Sequence, residues 1–341
     1  MTMPSGTPAQ HVAATASVEP WQRELAVAIR DPAELCSILG LDPTLAAQSI
    51  VSTAGFPFLV PRPFVARMRR GDPHDPLLLQ VLPQAPETAD VPGYSADPLA
   101  ERHALAAPGM IRKYAGRALL LVSGGCAVNC RYCFRREFPY AETGAHRRGV
   151  DEGIAAIAAD TSIAEVILSG GDPLVVDDAR LEDIVARLDA VPHLRRLRLH
   201  TRLPVVLPGR VTDRLTAVLR GSRLARVVVV HVNHAAEIDA GVAAALERLA
   251  ALPAVLLNQS VLLAGINDSV AALAMLSERL VEVGVVPYYL HLLDRVRGAG
   301  HFDVEESRAR ALQRSLQDML PGYAVPRLVR EVPGQPAKVW L

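Results

Sequence analysis

From residue 118 onward, apolar residues gather in short runs separated by longer stretches in which they recur every three or four positions. The runs at 118–122, 165–168, 196–200, 227–231, 254–260 and 286–290 have the pattern of short strands buried in a parallel sheet. Between them, helical spacing is evident near 150–160, 179–190, 211–220, 237–250 and 270–283. Six strands alternating with helices predict an α/β fold of parallel βα units, which right-handed crossovers curl into an open or partial barrel. Chemistry in such a fold gathers at the carboxyl ends of the strands, so the loop after each run is where functional side chains are expected.

The pattern differs upstream. Residues 1–20 are small and polar and are expected to be disordered. From 21 to 68 the spacing of Leu25, Ile29, Leu35, Ile38 and Leu39 is helical, and Asp31-Pro32 is a good helix start. Residues 71–109 are rich in proline, glycine and aspartate and read as an irregular connection over the surface of the downstream core. The predicted organisation is therefore a helical region and connection over 21–110, a barrel core over 111–320 and a short C-terminal segment over 321–341.

Composition narrows the function. Half of the 341 residues are hydrophobic, enough for a sizeable core, and the 36 basic residues equal the 36 acidic ones. That balance gives no electrostatic case for nucleic acid or an anionic membrane. No uncharged apolar run approaches the roughly 20 residues of a membrane span, and the N-terminus lacks the pattern of a signal peptide. Four cysteines, three of them within eight residues, do not make a disulfide framework. A cytoplasmic enzyme whose thiols serve a cofactor is expected.

Those three thiols, Cys126, Cys130 and Cys133, follow the first strand in the sequence GGCAVNCRYCF. Thiolates are the usual ligands of iron–sulfur clusters, and a cubane needs four ligands. Three cysteines on one loop leave one iron open to a chelating small molecule. A structural zinc site would want a fourth protein ligand, and none is obvious nearby; a redox pair would not need the third thiol. Cys36 reads as a core residue. The second strand ends in Ser169-Gly170-Gly171-Asp172, where glycines allow close backbone approach and exposed amides can bind a carboxylate or amine.

The spacing C-x3-C-x2-C resembles the signature of the radical S-adenosylmethionine (SAM) superfamily, and Ser169–Asp172 resembles its SAM-binding turn. Further blocks extend the likeness: KYAGR at 113–117, Arg135-Arg136, HVNH at 231–234, NQSVLL at 258–263, PYYL at 287–290 and PGQPAK at 333–338. Together they resemble the lysine 2,3-aminomutase family from about residue 20 to the C-terminus. They are most similar to the bacterial branch that supplies β-lysine for modification of elongation factor P.

That resemblance implies a partial (βα)6 barrel with an N-terminal helical extension, and three cofactors: a [4Fe–4S] cluster on the cysteines, SAM, and pyridoxal 5′-phosphate (PLP). Lys338 matches the PLP-binding lysine, Arg117 an arginine at the PLP phosphate and Tyr114 an aromatic against the PLP ring. Ser169, Gly170, Gly171, Asp172 and Gln259 fall at cofactor-binding positions. Arg135 matches the arginine that pairs with the substrate carboxylate, while Asp294 and Glu331 match the acids that receive the side-chain amine of lysine. The implied reaction moves the α-nitrogen of lysine to carbon 3 by a radical route, giving (R)-β-lysine for a separate elongation factor P ligase. It needs an external electron donor.

Two departures stand out. Ser269 occupies the position of a zinc-binding cysteine in the aminomutases proper, so no zinc is expected. The sequence runs only three residues past Lys338, so the family's tetramer is not assumed and homo-oligomerisation stays open. Relatives acting on glutamate or arginine provide an alternative substrate, and a non-catalytic metal-binding scaffold an alternative class.

Overall fold

The structure, a computed structural model, describes residues 18–52 and 56–341. Ten strands form one sheet in which spatial order equals chain order: β1 (Leu105–Ala107), β2 (Met110–Ile111), β3 (Arg117–Ser123), β4 (Glu165–Gly170), β5 (Arg196–Thr201), β6 (Ala225–Val230), β7 (Ala254–Val261), β8 (Val286–His291), β9 (Arg327–Arg330) and β10 (Val339–Trp340). β3 to β9 are parallel, while β1, β2 and β10 are antiparallel additions at the two ends. The six predicted strands are all present as β3 to β8, in the TIM-like arrangement expected of a radical SAM fold.

Their burial explains their composition. In β4 every residue is buried, because helices cover one face and the barrel interior the other. The connecting helices each present one apolar stripe: Asp178–Asp189 buries Leu181, Ile184, Val185 and Leu188, and the Asp177 carboxylate caps it by accepting from Arg180 N. Among the described residues no helix is long and apolar enough to cross a membrane.

Three differences from the sequence-based expectation concern the ends. The expected disorder at 1–20 lies mostly outside the described residues, but Pro20 already opens a helix, Pro20–Ala26. The connection over 71–109 is irregular as expected, yet it ends in β1, so the sheet runs across residue 110 as well as residue 320. A long helix, Glu306–Met319, and a seventh parallel strand, β9, come after the six βα units. β9 has only four residues with arginine at both ends, too short and too charged to show as a strand in the apolar pattern.

The N-terminal segment covers the cysteine loop. Asp31 caps the helix Pro32–Leu39, as expected, and Cys36 is buried at 2% exposure. Asn129 N donates to Leu59 O, Asn129 Nδ2 to Pro57 O, and Arg131 Nη1 to Phe56 O. Arg131 and Arg136 both pair with Glu87, whose side chain is 1% exposed, so the loop is clamped by a buried carboxylate from the connection.

Candidate active site

The cysteine loop leaves β3 at Ser123, whose Oγ accepts from Gly125 N at 3.0 Å and turns the chain. Cys133 N donates to Cys130 O, and Arg136 N to Cys133 O, continuing the loop as linked turns. Burial pushes the Cys133 thiol up to about 11, with Cys130 adding to it; burial, then Asp172 and the other two cysteines, raises Cys126 further. Burial and neighbouring sulfurs favour the thiol at Cys126 and Cys133, so cations must offset the thiolates that a metal centre requires. Among the described residues no three potential ligands converge on one ion. A cubane makes a different demand, because each thiolate takes its own iron. The donor set fits a [4Fe–4S] cluster.

The expectation of exposed amides at 170–172 is corrected. Gly171 N donates to Ser123 O at 2.8 Å and Asp172 N to Gly125 O at 2.9 Å, so both amides are spent on the cysteine loop. The glycines serve that contact. A Cβ on Gly170, at φ +122°, would lie 2.2 Å from Ser123 O, and one on Gly171 would lie 2.1 Å from Gly125 O. The Asp172 carboxylate is likewise engaged, accepting from Leu174 N, Thr201 Oγ1 and Arg202 N. Burial nevertheless pushes it up to about 6. What remains for a ligand is Ser169 Oγ and Gly170 O, and both already accept from Arg135, at 3.2 and 3.1 Å.

Arg135 begins a chain of alternating charges that crosses the site. Its Nε and Nη2 donate to Glu101 at 2.6 and 3.0 Å; Lys113 Nζ bonds Glu101 at 3.1 Å and also Glu331; Lys338 Nζ donates to Glu331 Oε2 at 2.5 Å. Burial works against the Arg135 charge, but Glu101 outweighs it and holds the guanidinium protonated. Burial also opposes ionisation of Glu331, yet Lys338 and Lys113 keep it far below the usual carboxylate range. Register explains why Lys338 meets Glu331. Val339 pairs with Arg330 across β9 and β10, so the two residues face each other at the mouth of a hairpin. The C-terminal segment is thus tied to the sheet rather than loosely attached.

Tyr114 and Arg117 flank this hairpin. Burial, then Glu331, raises the Tyr114 phenol well above its ordinary range, and the Arg117 guanidinium lies 5.0 Å from the Tyr114 ring. Among the described residues Arg117 has no carboxylate partner, which suits a phosphate dianion. A cleft of about 270 Å³ lined by Lys113, Tyr114, Glu331 and Gly334 opens here. By their chemistry the Lys338 amine, the Tyr114 ring and the Arg117 guanidinium fit PLP, although Lys338 and Arg117 do not line this cleft.

Asp294, after β8, is the outlier. No hydrogen bond or ion pair engages its carboxyl among the described residues, and burial, reinforced by Glu331, pushes it up to about 7 against the opposing pull of Lys338 and Lys113. Gln259 does not face a ligand alone: its Nε2 lies 2.5 Å from His231 Nε2 and 3.4 Å from His200 Nδ1. Burial lowers His231 to about 3 and keeps His200 and His291 neutral too, so three uncharged imidazoles line the barrel. The sequence reading missed Glu101, His200 and His291. Glu101 sat in the connection read as surface, and single histidines at strand ends carry no spacing signal.

Residues 114–195 match the family model of the 4Fe-4S single cluster domain. The chain is 46% identical to the L-lysine 2,3-aminomutase of Escherichia coli over 95% of each chain, and 46% identical to that of Haemophilus influenzae over 93% of this chain and 94% of the relative. It is 36% identical to that of Clostridium subterminale over 77% of this chain and 63% of the relative. With the cluster loop, the parallel barrel and near full-length similarity in agreement, the chain is an isomerase that belongs to the lysine 2,3-aminomutase family.

Proposed function

We propose that this radical SAM isomerase converts L-α-lysine to (R)-β-lysine with PLP held by Lys338, and that the product serves β-lysylation of elongation factor P in the cytoplasm. When bound, the cluster with SAM supplies a carbon-centred radical and PLP supplies an electron-accepting ring for the migrating nitrogen. The chain's own residues do the rest. Arg135 is set to take the substrate carboxylate, exchanging Glu101 for it, in a bidentate geometry a lysine could not match. Tyr114 and Arg117 are suited to the ring and phosphate of PLP. The neutral histidines add no charge to the barrel interior, and the N-terminal segment braces the cluster loop through Asn129 and Arg131.

The observation that carries lysine as substrate is the unpaired Asp294 carboxyl beside Glu331. A half-buried acid whose ionisation is pushed up toward neutrality is relieved by an incoming ammonium, which supplies the missing counter-charge. The same acids would repel the side chain of glutamate. Placement in the elongation factor P branch rests on the GGCAVNCRYCFRREFPYAE and NQSVLL blocks. An anaerobic panel of lysine, arginine and glutamate, with SAM, PLP and an external one-electron donor, tests the assignment. β-Lysine is expected as the dominant product and as the form an elongation factor P ligase accepts; dominant β-arginine or β-glutamate would overturn it.

A further inference from the structure

Arg202 has no part in the roles above, yet four side-chain acceptors converge on its buried guanidinium. It follows β5 directly, and its backbone N donates to Asp172 Oδ2 at 2.7 Å, which fixes where the side chain leaves the strand. The guanidinium, in a residue only 6% exposed, then reaches the cysteine loop. Nη1 donates to Cys130 Sγ at 2.6 Å and to the Tyr132 hydroxyl at 2.5 Å. Nη2 donates to Gln80 Oε1 at 2.6 Å and to Glu237 Oε2 at 3.0 Å. Glu237 is fully buried and is itself fixed, accepting on Oε1 from Asn233 N, His234 N and Gln80 Nε2. Three separate parts of the chain therefore aim one guanidinium at one sulfur.

The three cysteines are unequal in this respect. Cys126 and Cys133 are met by backbone amides, of Val128 and Arg135, whereas Cys130 receives a charged side-chain donor. Reduction adds a unit of negative charge to a buried centre. Hydrogen bonds to ligand sulfurs and a nearby cation both favour the reduced form, and in a low-dielectric interior their effect is large.

We propose that Arg202 is a positioning residue for the iron–sulfur centre: its bond to the Cys130 thiolate raises the cluster's reduction potential, and Glu237 sets the size of that effect by holding and partly neutralising the guanidinium.

The test is an EPR-monitored redox titration of the anaerobically reconstituted protein without SAM or lysine. Arg202→Gln is expected to lower the equilibrium constant for reduction at least tenfold, a 59 mV fall for one electron. Arg202→Lys, which keeps the charge but loses the fork, should recover part of the fall. Glu237→Gln should move the potential the opposite way, because it leaves the guanidinium unopposed. General loosening of the core would not produce opposite signs. An unchanged potential in Arg202→Gln, or shifts of the same sign in Arg202→Gln and Glu237→Gln, overturns the proposal. Should Arg202→Gln fail to retain four irons, Glu237→Gln decides alone, and the absence of a positive shift overturns it.

Discussion

Replacing Asp294 by asparagine should make the ligand-free protein more stable and a worse enzyme. The carboxyl is held at about 7 in the fold against an ordinary 3.8, so the folded state binds its proton more tightly than the unfolded chain does. Stability is therefore greatest below about pH 4 and is lost as the pH rises to about 7, where the folded-state group ionises. The full difference amounts to about 4 kcal/mol at pH 8. Solvent entry into a site that must open to substrate reduces it, and about 2 kcal/mol is a realistic gain for the neutral variant. For a chain of this length that corresponds to a rise in Tm of roughly 3 °C. Calorimetry of the cluster-loaded, PLP-free protein should show the rise at pH 8 and a smaller one at pH 5. In the same variant kcat/KM for lysine should fall at least a hundredfold, and the wild-type increase in kcat/KM as the pH rises through about 7 should disappear. A variant less stable than wild type at pH 8, or one that keeps the rising limb, would refute the reasoning that this acid is strained for want of a cation.

Lys338→Ala should abolish the visible absorbance of lysine-bound PLP while leaving iron content at four per chain; retained absorbance would exclude this lysine as the PLP ligand. Gly171→Ala puts a methyl group 2.1 Å from Gly125 O, a backbone atom that cannot step aside. The cysteine loop must move, so iron retained after anaerobic desalting should drop well below half of wild type, whereas a conservative change at exposed Gly221, with nothing within 4 Å, should not affect it.

The barrel was legible in the sequence because strands buried on both faces leave unbroken apolar runs, and all six appear in the structure near their expected bounds. The cysteine loop was legible because its ligands lie within eight residues of one another. The charge chain was not. Arg135, Glu101, Lys113, Glu331 and Lys338 come from four separate segments, and the chain closes only because the β9–β10 hairpin brings Glu331 and Lys338 to Lys113. That hairpin rests on strands of four and two residues, below the length at which alternation can be read. Gly170 and Gly171 were legible as glycines required by close approach, but the partner is the cysteine loop's backbone, which only tertiary structure reveals. Arg202 carried no local signal, since a lone arginine after a strand is ordinarily a surface group.

The central claim is that nitrogen migrates within one lysine molecule in a site held by Cys126, Cys130, Cys133, Lys338 and Asp294. Incubating the anaerobically reconstituted enzyme with L-lysine carrying 15N on the α-amine, together with SAM, PLP and a reductant, tests it directly. The account predicts β-lysine with the label on carbon 3 and no dilution by unlabelled ammonia in the medium. Label retained only on carbon 2, or released as free ammonia, from protein with its cluster and PLP in place would contradict it.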